Sequence, residues 1–193
     1  MSTGSSTEWA DVFGPLDART LTRDQRASYV DFLYQRDMGE KEFWISGGGE
    51  ESMWTWYSAI EAFLEANWVA VILCCHATCE RLLAGRFIPL LADESTAPPR
   101  WQFMGMGQLL TELERQNCIE PEFAVELRKL TNYRKTFGHW KGMNDSLSLF
   151  RRVIDSGHGA RVDGDEAVMR MVVADATHAI TTTSRLLYGD VWS

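Results

Sequence analysis

Long apolar runs are missing from this chain of 193 residues. The longest uninterrupted one, Trp68 to Cys75, has eight residues, well short of the ~18 that a membrane-crossing helix takes. No membrane partner is expected. The first residues, Met1-Ser-Thr-Gly-Ser-Ser-Thr-Glu8, have neither the basic stretch nor the apolar core of a secretory signal, which points to a cytoplasmic protein. Cysteine is scarce: Cys74, Cys75, Cys79 and Cys118. Three of the four crowd one apolar stretch, which argues against a secreted disulfide framework and for buried, reduced thiols. Cys75 and Cys79 are one helical turn apart, and so are His76 and Glu80, a spacing that metal ligands use. The one further pair at ligand spacing is Asp175-x-x-His178, too little for a metal centre. No metal and no other cofactor is expected, and His76 with Glu80 reads as a hydrogen-bonded pair at the edge of the core. Glycine-rich phosphate loops of the Walker or dinucleotide type are absent too. Gly47-Gly48-Gly49 follows only a Trp-Ile pair where such a loop needs a strand.

What is present is ordinary for a globular domain, with 45% hydrophobic and 24% charged residues. The eight tryptophans suit an aromatic core or an aromatic interface. The charge is unevenly spread. The net charge is -8, yet Leu127 to Lys141 carries Arg128, Lys129, Arg134, Lys135, Lys141 and one histidine, with no acid. That leaves 14 of the 19 cations to face all 27 anions. A positive strip on a negative protein is the footprint of a phosphate-bearing ligand. Leu127, Leu130, Tyr133, Phe137 and Trp140 recur at helical spacing through it, so the strip is a helix with one buried face.

The rest of the chain reads as helices too. Residues 1–20 form a poorly ordered lead-in, and 21–193 a single domain. Thr22-x-x-Gln25 is a capping box for a helix to about Met38, with Gly39 as its stop and Ala27, Val30, Leu33 and Tyr34 on its apolar face. A second helix starts near Glu51, with Met53, Trp56, Tyr57, Ile60 and Leu64 as its stripe. It either ends at Asn67 or runs on into the apolar helix from Trp68 to Phe87. Pro89 and Pro98-Pro99 delimit a loop. A short helix follows from Met106 to Gln116, and Pro121 opens the basic helix, which Gly142 can close. The last helix ends at Tyr188, with Val168, Val172, Ala176, Ala179, Thr183 and Leu186 inward. Between them lies a short irregular or strand-like insertion near 145–162. The sum is an all-α bundle of five or six helices in one domain.

The run Leu130-Thr-Asn-Tyr-Arg134-Lys-Thr-Phe-Gly-His139-Trp140 resembles the signature of the HEPN domains, an Arg followed after four to six residues by a His near the end of a bundle helix. The stretch Ala70 to Leu83, with Glu80-Arg81-Leu82-Leu83 at its end, is similar to the apolar helix that often precedes it. The two blocks sit within roughly residues 52 to 190, whose helix order also matches. The resemblance implies a HEPN-like fold and a metal-independent endoribonuclease, often a toxin or defence effector, with a site formed across a homodimer. It assigns catalysis to Arg134 and His139. Lys135, Asn132, Arg128 and Lys141 join them as substrate-binding groups, because helical geometry places Asn132 and Arg128 close to His139. RNA, a second copy of the chain and an antitoxin-like protein are the expected partners. One departure matters: Lys135 stands where the family usually has Asn, Asp or His. Members with altered motifs bind partners without cleaving, so the alternative is a catalytically inactive helical module that binds a protein or nucleotide. A di-metal bundle enzyme using His76, Glu80, Asp175 and His178 ranks last.

Overall fold

The computed structural model describes residues 18–39, 48–88, 97–138, 142, 145–155 and 164–192. Among these residues there are seven α-helices and no strand: α1 (Arg23–Met38), α2 (Gly49–Leu64), α3 (Trp68–Gly85), α4 (Met106–Arg115), α5 (Pro121–Gly138), α6 (Leu149–Asp155) and α7 (Gly164–Tyr188). The protein is all-α. Local chemistry sets most of the boundaries. Thr22 accepts from the Gln25 backbone N–H and Gln25 returns the bond to the Thr22 N–H at 2.9 Å, closing the box that starts α1. Gly39 ends that helix with φ +55°, a conformation other residues resist. Pro121 opens α5 at its first position, where its missing N–H costs nothing.

Helices α2 and α3 are separate. Ala66 turns the chain with φ 57°, and the Asn67 side chain accepts from the Ala70 N–H to begin α3. The hairpin that results lies at the centre of the molecule, with α3 packed against α2, α4, α5 and α7. By length and composition α3 is apolar enough to cross a membrane, and 56% of it is buried. That burial is what the central helix of a bundle requires. Val71, Ile72, Cys75, Cys79 and Leu83 on α3 are fully buried, as are Leu127 and Leu130 on α5 and Ala176, Ala179 and Ile180 on α7. All four cysteines are free thiols. Burial first of all pushes the Cys79 thiol up to about 12, although it also bonds Thr183 at 3.3 Å.

Three expectations need correction. The bundle has seven helices where five or six are expected, because the supposed strand-like insertion holds α6. The inner face of α1 is carried by Arg26, Tyr29, Leu33 and Met38, while Tyr34 is 48% exposed. On α2 it is carried by Ser52, Trp56, Ala59 and Phe63, and Tyr57 is 56% exposed. On α1 polar contacts accompany the shift. The Arg26 guanidinium is buried because it donates to the carbonyls of Leu21 and Leu64, and the Tyr29 hydroxyl pairs with Thr181 at 2.8 Å. The stripe expected for α7 is found inward, from half-buried Val168 to Leu186 at 2% exposure. Most of the lead-in, residues 1–17, lies outside the described residues, as do His139 to Lys141.

Candidate functional site

The basic face of α5 meets α3 near the start of α4. There the chain opens a cleft of 430 Å³ lined by His76 and Glu80 of α3, Thr131, Arg134 and Lys135 of α5, and the Gly105–Gln108 turn. The turn is held in place by Glu80, whose Oε2 accepts the Met106 N–H at 3.0 Å. A carboxylate at a helix N-terminus faces the positive end of the helix dipole. The Gln108 side chain closes the same turn by accepting the Gly105 N–H at 3.2 Å. These bonds fix one wall of the cleft.

Arg134 and Lys135 form the opposite wall. The Arg134 side chain runs along α5 toward its C-terminal end and lies over Gly138, where a Cβ would come within 3.2 Å of Cζ. It therefore points toward the position that His139 follows in sequence. His76 is 9% exposed and shares this cleft. Burial lowers its pKa from the usual 6.5, Glu80 pulls it up, and the charges of Arg134 and Lys135 push it further down. At neutral pH the imidazole is uncharged, which is the form that accepts a proton. Among the described residues no hydrogen bond joins His76 to Glu80. The expected hydrogen-bonded pair is instead two side chains coupled through charge, each facing the cleft.

No family model, curated protein or solved structure matches this chain.

The other residues singled out in the sequence are dispersed. Arg128 is held by both oxygens of Glu114 on α4, one bond at 2.6 Å. Asn132 lines a separate hollow of 190 Å³ with Tyr133, Thr136, Leu147 and Arg152. Neither reaches the cleft of Arg134. The physical reason is that α4 and the 145–155 segment each claim one flank of α5. His139 and Lys141 lie outside the described residues. Asp175, a ligand in the di-metal reading, takes a two-pronged ion pair from Arg152 at 2.6 and 2.7 Å. His178 contacts the Glu126 carboxylate at 3.5 Å and the edge of Tyr133. That engagement leaves the di-metal ligand set without its members, and among the described residues no three metal-ligating side chains gather.

His76 is the site residue that sequence reasoning treated as structural. Its signal is present nonetheless: two titratable side chains one turn apart on the most apolar helix mark an edge where another element arrives.

Proposed function

We propose that this cleft is the phosphate site of a HEPN-like, metal-independent endoribonuclease. The observation that carries the reading is that His76, uncharged by burial, shares one cleft with Arg134 and Lys135. RNA cleavage without a metal needs a base for the ribose 2′-hydroxyl, an acid for the departing 5′-oxygen and positive charge beside the phosphate. Neutral His76 takes the 2′-hydroxyl proton as that oxygen attacks phosphorus. Arg134 and Lys135 compensate the charge on the phosphoryl oxygens. The bond from phosphorus to the 5′-oxygen breaks, and His139, the next residue but four after Arg134, supplies the proton to the leaving group. The products are a 2′,3′-cyclic phosphate and a 5′-hydroxyl.

The test is digestion of labelled single-stranded RNA in EDTA by wild type and by Arg134→Ala, His139→Ala and His76→Gln. Loss of a proton-transfer group is expected to slow cleavage by ~10²–10⁴-fold. Lys135→Ala is expected to cost less, because Arg134 remains. RNA left intact by wild type, or cut equally by His139→Ala, would replace this reading with the inactive binding module, for which Lys135 at the altered motif position and Glu80 inside the cleft speak.

A further inference from the structure

Glu80 has a second side. It also walls a neighbouring hollow of 560 Å³, and the chain from Met104 to Met106 passes from one hollow to the other. The two differ in charge. The first is lined by Arg134 and Lys135 against Glu80. Among the described residues, the second is lined by Glu51 and Glu80 against one cation, Arg81. A phosphate is therefore drawn to the first and repelled from the second. What suits the second is an uncharged group rich in hydrogen-bond donors.

Its remaining surface fits that description. Trp101 is half-buried, its ring 6.1 Å from the fully buried Phe87 ring, so one side is backed by the core while the rest borders the hollow. Gln102 beside it is exposed and offers both a donor and an acceptor. The floor on α3 is Ala84 and Gly85, which leaves room for a flat ring. At the far wall, the Glu51 carboxylate bends back over Gly49, to within 3.1 Å of where a Cβ would stand.

We infer that this second hollow is a nucleobase site, set beside the phosphate cleft so that one nucleotide spans both. This rests on the phosphate-binding reading of the first cleft. An aromatic face for stacking and polar groups for the base edge are the means by which proteins hold single-stranded RNA bases. The charge selects among bases. Guanine alone presents two adjacent donors, N1–H and N2–H, to one carboxylate, and offers O6 and N7 to an arginine. Uracil offers a single donor, N3–H, between two acceptors, and cytosine only its N4 amino group. The substrate class is thus RNA with guanine at the nucleotide whose phosphate sits against Arg134.

The experiment uses probes that cannot be cleaved. 2′-Deoxyguanosine 3′-monophosphate, its uracil counterpart and inorganic phosphate are titrated into the isotope-labelled full chain, and the Trp101 indole and Gln102 amide signals are followed. The guanine nucleotide is expected to shift both signals and to bind about tenfold tighter than the uracil one. Inorganic phosphate should move neither. Glu51→Gln, at an exposed position, should reduce the guanine preference while phosphate affinity stands; Trp101→Ala should weaken both nucleotides. Equal affinity for the two nucleotides, or an unmoved Trp101, overturns the inference. If Trp101 is silent while RNA is still cut in EDTA, the base site falls and the nuclease reading survives. If the guanine nucleotide binds at Trp101 and RNA stays intact, the reverse holds.

Discussion

In the proposed reaction, the proton transfer at the attacking side turns on one residue, His76. Its pKa lies below 6.5, with burial as the main cause, Glu80 opposing and Arg134 and Lys135 reinforcing. A base must be unprotonated to act, so cleavage should fall as pH drops through that lowered value. Removing one cation relieves the depression. Lys135→Ala should therefore shift the acidic limb of the rate profile to higher pH, and His76→Gln should abolish that limb along with most of the rate. A limb that stays put in Lys135→Ala would show that another group titrates. The histidine was visible in the sequence and its neighbours were not. Arg134 and Lys135 are more than fifty positions away, and only the packing of α5 on α3 brings them together.

At the scale of elements, the helices that could be read from sequence are those with a cap or stop and a long apolar stripe. The capping box of α1, the Pro121 start of α5 and the inward face of α7 were all legible. Helix α6 was not, because seven residues hold too little periodicity and its anchor is distant in sequence. Arg152 reaches α7 to grip Asp175, which is 4% exposed, and its guanidinium also stands over the Tyr133 ring of α5 at 5.3 Å. Removing one partner leaves a buried charge unpaired. Arg152→Ala should therefore lower stability by about 3 kcal/mol in urea denaturation. Loss of less than about 1 kcal/mol would mean that Asp175 finds water or another donor. The same substitution leaves the Arg134 cleft untouched, which separates a stability defect from a catalytic one.

Across the whole molecule, the basic strip shows what linear charge patterns miss. Residues 127–141 contain no acid in sequence, but the fold brings Glu114 to Arg128 and Glu80 into the cleft of Arg134. Of the described positions marked as substrate-binding, Lys135 shares the cleft with Arg134, and Arg128 and Asn132 do not. The class of the fold followed from periodicity, whereas the membership of the site depended on which helix lies against which. What remains is a small cleft with two cations, Arg134 and Lys135, on a chain of net charge -8, of a size suited to one phosphate. The measurement that bears most directly on its role is identification of RNA product ends by mass spectrometry after incubation in EDTA. The cleft as described predicts 2′,3′-cyclic phosphate and 5′-hydroxyl ends from wild type, and their near disappearance with Arg134→Ala. Intact RNA, ends bearing 3′-hydroxyl and 5′-phosphate, or cleavage undiminished in Arg134→Ala would contradict it.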